Sequence, residues 1–232
     1  RRIDGSFTDE SLSDDITRRL KPLAEAAHTR NATVLVDPSL IDEVRAMASG
    51  YLVAGKGSHT VAGTGQEQAK EWLNLVEPLL SSGRAYRLPY GNADVIGAAR
   101  QGRSSLLLTV KHAVDPSNPA AHLPLAIIDP TAELDNSSLK TLAKELSPSV
   151  ILTCAASARK GVREDFGVKI VGLADTVRTG GHPQSNSDSQ RRGMLLSQAL
   201  LMTRESIPAV TLVTTVNDVQ ATAPVSWLHL QN

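Results

Sequence analysis

Leu125-Ala126-Ile127-Ile128-Asp129-Pro130, then a helical stretch over 136–146, then Val150-Ile151-Leu152-Thr153, is the passage whose reading decides the fold. A short apolar run closes on Asp-Pro, a helix follows, and a second apolar run follows the helix. Strand, crossover helix and strand in that order make a parallel pair. Working towards the N-terminus, Thr33-Val34-Leu35-Val36 closes in the same way on Asp37-Pro38. It leads into a helix over 39–49, with Leu40, Val44 and Met47 at helical spacing and Gly50 as the stop. A second helix is predicted over 66–81, with Ala69, Trp72, Leu73, Val76 and Leu80 on one face, and a strand over 85–88 ends at Pro89-Tyr90-Gly91. Asn92 is placed to cap a helix holding Val95, Ile96 and Ala99. The run 104–113 fits a helix or a strand, and we read it as a helix; 115–124 is a polar connection. Towards the C-terminus come a strand over 168–172, a polar stretch over 179–189, a helix over 190–205 and a strand over 210–215. The repeating unit predicts an α/β fold with a mainly parallel sheet. It takes the form of a (β/α) barrel-like structure, complete or incomplete, with an open doubly wound sheet as the alternative.

The 232 residues hold 24 Lys+Arg and 24 Asp+Glu, a net charge of zero with histidine neutral. That balance argues against nucleic acid as a partner and against a polybasic membrane surface. The one cysteine, Cys154, excludes an intramolecular disulfide and a zinc site of several thiolates. No apolar run approaches the roughly 18 residues needed to cross a bilayer. The chain opens on Arg1 rather than methionine, so we expect a processed piece whose targeting segment lies outside it. With no repeat and no shift in composition, residues 1–232 read as one domain.

Ligands of parallel α/β folds sit at the carboxyl ends of the strands. Here those ends present Asp37; Tyr90 with Asn92 and Asp94; Asp129; Thr153 with Cys154; Asp175; and Thr215 with Asn217 and Asp218. Acids gathered on one rim suit glycoside hydrolysis, which needs two carboxylates at a set separation, or a hard cation. The competing reading is that Asp-Pro and Asn-x-Asp after a strand cap the next helix or shape a turn. Several motifs fail. Gly50-x-x-x-x-Gly55-Lys56-Gly57 has glycine where a phosphate loop needs Ser or Thr, and it follows a helix. Gly55-x-Gly57 and Gly63-x-Gly65 lack the dinucleotide spacing and read as a mobile surface loop. Cys154, ending an apolar strand, reads as a buried inert thiol. The six histidines are scattered singly, His182 in a glycine-rich loop being the most site-like, and the Gly-x-Ser-x-Gly elbow is absent. Tyr90 is the aromatic best placed for a ligand. The sequons at Asn31 and Asn136 carry meaning only in a glycosylating host.

Three stretches in order carry a resemblance. Ile3-Asp4-Gly5-Ser6-Phe7-Thr8-Asp9-Glu10-Ser11-Leu12 leads into Val34 to Ile41 and then Ala46-Met47-Ala48-Ser49-Gly50-Tyr51. Gly63-Thr64-Gly65-Gln66 with Trp72-Leu73 runs on to Leu88-Pro89-Tyr90-Gly91-Asn92-Ala93-Asp94-Val95. Ser189-Gln190-Arg191-Arg192 leads to Val210-Thr211-Leu212-Val213. Their order and spacing resemble an uncharacterised actinobacterial family of extracytoplasmic, membrane-anchored proteins, usually encoded beside the lipid II flippase of peptidoglycan synthesis. The resemblance implies a location outside the cytoplasmic membrane, anchoring through segments absent from this chain, and a role in envelope biogenesis. It also implies distant similarity to the barrels of glycoside hydrolases and polysaccharide deacetylases, although the deacetylases' His-x-x-x-His metal pair is missing here. The leading expectation is a non-catalytic or scaffold-like domain. Its partner is an envelope protein such as the flippase or a cell-wall glycan, met through Tyr90, Asn92 and His182, with no cofactor and no metal. The runner-up is a carbohydrate-active hydrolase using Asp37, Asp94 and Asp129, and a small-molecule binding module is the third reading.

Overall fold

Parallel pairing dominates the computed structural model, which describes residues 1–30, 32–55, 59–154 and 162–172. Strand β1 (Val34–Val36) pairs parallel with β4 (Ala85–Arg87), and β5 (Ala126–Asp129) pairs parallel with β6 (Val150–Thr153), which pairs parallel with β8 (Val168–Gly172). A single parallel bridge between Arg87 and Leu125 joins the two groups. The strands β1, β4, β5, β6 and β8 therefore stand side by side in chain order. Among the described residues this sheet is open rather than a closed barrel.

Helices α3 (Pro38–Ala48), α4 (Gln66–Leu80), α5 (Val95–Arg100), α6 (Ser104–His112) and α7 (Asn136–Glu145) fill the connections. They pack on one face of the sheet. Val36 and Ala85 share a core with Ile41, Val44 and Met47 of α3 and Trp72 and Val76 of α4. Ile127, Ile151 and Ile170, aligned across three strands, share a second core with α5, α6 and α7. The opposite face carries Leu35, Ile128, Leu152 and Val171, and no residue of a described helix joins that cluster. Period-two alternation sorts the two rows.

Among the described residues the predicted strands and helices stand within a residue or two at each end, and 104–112 is helical. Three features differ from the sequence reading. The glycine-rich run holds a hairpin rather than a loop alone, with β2 (Leu52–Ala54) antiparallel to β3 (Thr60–Ala62) and Phe7 bridged to Val53 on the other side of β2. An N-terminal helix, α1 (Ser11–Asp15), passes through a π-helical turn at Ile16–Leu20 into α2 (Lys21–Arg30), burying Ile16, Leu20 and Ala24 at four-residue spacing. The third is β7 (Arg163–Asp165), antiparallel to β8 at the edge of the sheet. The predicted elements over 190–205 and 210–215 lie outside the described residues.

The β7–β8 turn is Phe166-Gly167, with φ of 53° and 76°. Two positive angles in a two-residue hairpin are those of a type I′ turn, where Asn-Gly is favoured and a bulky L-residue is strained. Phe166 is also 58% exposed, so it gains little by burial. Phe166→Asn is expected to stabilise the chain by about 1 kcal/mol, a rise in Tm of about 2–4 °C by calorimetry. An unchanged or lower Tm, read at a protein concentration low enough for the chain to be monomeric, would show the turn to be unstrained.

Candidate functional site

Asp37 sits directly after β1 in extended backbone. Its Oδ1 accepts from the N–H of Ser39 at 2.8 Å, capping α3. The same oxygen accepts from the N–H of Gly91 at 3.0 Å, which ties the turn after β4 to the end of β1. Pro38 at the first helical position has no N–H to leave unpaired. Tyr90 opens that turn, half-buried, and its hydroxyl donates to Oδ2 of Asp42 on α3 at 3.2 Å. Burial, then the negative charge of Asp42, raises the Tyr90 phenol above its ordinary pKa.

Asn118, 1% exposed, completes this group. Its amide donates to Oδ1 of Asp42 and to the carbonyl of Pro38, both at 2.8 Å, and its oxygen accepts from the N–H of Ala120. The polar connection after α6 is thereby fastened to the start of α3. Sequence reasoning missed Asp42 and Asn118. Neither lies at a strand end, and their meeting joins residues 76 apart. A buried polar residue with every group engaged rigidifies its surroundings.

Asp94, not Asn92, is the N-cap of α5. Its Oδ1 accepts from the N–H of Gly97 at 2.8 Å. Asn92 lies outside the helix, exposed, in a short turn with φ 48°, and its N–H donates to the carbonyl of Pro89. The sequence pattern fitted either residue, since both are good caps. The turn's left-handed step at Gly91 and Asn92 moves the helix start two residues along.

Asp129 differs from both. It ends β5 with no exposure. The Thr153 hydroxyl, at the neighbouring position of β6, donates to Oδ2 at 2.6 Å. The N–H groups of Glu133 and Leu134 donate to its two oxygens at 3.1 and 3.2 Å. The loop after β5 therefore wraps around this carboxyl, through Ala132 at φ 60°. Asp129 does not cap α7. Asp135 does so, in a reciprocal box with Ser138.

Asp37, Tyr90, Asp129 and Thr153 thus follow parallel strands at the same edge of the sheet. Each of the three candidate acids accepts hydrogen bonds from backbone N–H groups. Among the described residues no three His, Cys, Asp or Glu side chains converge as a metal set would. Cys154 is buried beside Leu152 and Val171. His182, Asp175, Thr215, Asn217 and Asp218 lie outside the described residues.

The glycines at 63 and 65 serve a different end from phosphate binding. They make room for Tyr51, whose ring packs edge-on against Phe7 at 4.9 Å. The Tyr51 hydroxyl donates to Glu10 and accepts from the N–H of Gly65 at 3.0 Å, and the other Glu10 oxygen accepts from the N–H of Thr64 at 2.9 Å. Burial first, then the Glu10 hydrogen bond, pushes the Tyr51 phenol up to about 12. Sequence gave no sign of this latch, because its parts lie 41 and 54 residues apart.

A scan against protein-family models and a search of curated proteins find no match for this chain.

Proposed function

We propose that this chain is a non-catalytic, scaffold-like extracytoplasmic domain of a membrane-anchored protein, related to the actinobacterial family it resembles. It serves cell-envelope biogenesis by holding a protein partner such as the lipid II flippase, or a cell-wall glycan. The observation that carries the reading is the engagement of Asp37, Asp94 and Asp129 with backbone amides of their own loops and helices. A glycosidase needs one carboxyl to deliver a proton and a second to attack or activate water across a cleft about 5–10 Å wide. Side chains occupied as caps and loop anchors are poorly suited to either task, which weighs against the hydrolase reading. Strands in chain order with every described helix on one face favour the barrel-like form of the fold, because a doubly wound sheet places helices on both faces.

The test has two arms. Full-length protein, with its membrane segments, is cross-linked in its native envelope and purified; a protein of envelope synthesis is the expected companion. In parallel, the 232-residue chain is incubated with peptidoglycan fragments and released reducing ends are counted. No turnover above that of Asp37→Asn or Asp94→Asn is expected, since asparagine keeps the cap. Recovery of cytoplasmic partners alone overturns the placement, and turnover lost in Asp37→Asn reinstates the hydrolase.

A further inference from the structure

The open edge of the sheet carries a self-complementary sequence. Strand β7 pairs with β8 alone among the described residues. Across a two-residue hairpin the flanking residues, Asp165 and Val168, exchange hydrogen bonds. Alternation then turns the N–H and C=O of Glu164 away from β8, towards the open side. On either side stand two exposed apolar side chains, Val162 at 51% and Phe166 at 58%.

We propose that this edge is a homotypic interface, in which two copies of the chain join by antiparallel pairing of β7 about Glu164. With Glu164 on the two-fold axis, Arg163 stands opposite the partner's Asp165 and Asp165 opposite the partner's Arg163, and the turn residue Phe166 lies beyond the ladder, towards the end where the partner's Val162 stands. The residues occur in an order, Val-Arg-Glu-Asp-Phe, that makes this pairing complementary on both sides of the axis. Within one strand, Arg163 Nε approaches Asp165 at 3.1 Å yet makes no aligned hydrogen bond, and that nitrogen is buried. Both side chains are nonetheless part-exposed, at 39% and 44%. Charges on an edge strand ordinarily prevent pairing. Here they select a register: centring the pair on residue 163 sets Arg against Arg, and centring it on 165 sets Asp against Asp. Parallel pairing repeats every like charge. The two Glu164 side chains meet at the axis, each beside Lys169 of its own β8. An aromatic side chain at the strained turn position fits the same role, since Phe166 covers the partner's Val162.

The contact is small, so the dimer forms reversibly with concentration. Sedimentation velocity on the 232-residue chain reads it directly. Arg163→Asp and Asp165→Arg, each alone, are expected to raise the dimer dissociation constant about tenfold or more. Mixing the two single variants restores association as a heterodimer, and the double reversal restores a homodimer. Phe166→Asn weakens the dimer while leaving the monomer at least as stable, which separates loss of contact from loss of fold. A wild-type chain that stays monomeric at every concentration overturns the proposal. So do single reversals that dimerise normally, or a mixture that does not associate. None of these outcomes depends on which envelope partner the domain holds.

Discussion

Asp129→Ala is expected to lower stability by about 3 kcal/mol, because it removes the buried carboxyl to which three donors are bonded. The Thr153 hydroxyl and the N–H groups of Glu133 and Leu134 all point at this carboxyl, and the residue has no exposure through which water enters to replace it. A buried donor that loses its acceptor costs about 1–3 kcal/mol and a part-buried one less, partly relieved as the Thr153 hydroxyl rotates and the 130–134 loop relaxes. In a chain of this size the change corresponds to a fall in Tm of about 6–12 °C. Asp129→Asn keeps one acceptor oxygen but turns an amide towards an N–H, so an intermediate loss is expected. The result also bears on mechanism. Catalytic acids are held at some expense to stability, and removing one is commonly neutral or stabilising. A drop of less than about 2 °C would mark Asp129 as unneeded by the fold and return it to the list of candidate acids.

How far the sequence reveals this molecule depends on the range of the contacts involved. The parallel strands are legible because β-rich runs such as Ala126-Ile127-Ile128 alternate with helical spacing and end at Asp-Pro or Pro-Tyr-Gly, all within a dozen residues. The capping role of Asp37 is legible for the same reason. Asp129, with the same Asp-Pro signature, is not a cap, because the residues after it form a loop around its carboxyl before α7 begins at Asn136. Local pattern cannot separate these two outcomes. Strand β7 was hidden by composition: Arg-Glu-Asp is a poor strand former taken alone, and β8 imposes its conformation through pairing. The polar clamp of Asp42, Tyr90 and Asn118 was hidden by distance along the chain. Strand ends identified the rim, and tertiary contacts decided what each side chain on it does.

Gly63→Ala is expected to cost about 3 kcal/mol, since a methyl group has no space there. A Cβ built on Gly63 falls 2.1 Å from Cζ of Tyr51 and 2.2 Å from the adjoining ring carbon. Carbon atoms in contact stand about 3.5–4.0 Å apart, so the ring or the hairpin has to move well over an ångström. Neither moves freely. The Tyr51 hydroxyl is bound to Glu10 and to the N–H of Gly65, its ring rests against Phe7, and the N–H of Gly63 donates to the Tyr51 carbonyl at 2.9 Å. Displacing the ring therefore loosens the connection between the N-terminal segment and the β2–β3 hairpin as a unit. Chemical denaturation of Gly63→Ala, Tyr51→Ala and the double variant checks the cause. If the clash is with the ring, Gly63→Ala is nearly neutral once Tyr51 is alanine, an interaction of about 2–3 kcal/mol between adjoining sites. An equal loss in both backgrounds would place the cost in the backbone of the hairpin and remove Tyr51 from the account. A Cβ built on Gly65 meets Ser13 on α1 at 2.4 Å as well as the Tyr51 hydroxyl at 2.9 Å, so the latch has no room for a side chain at this glycine either.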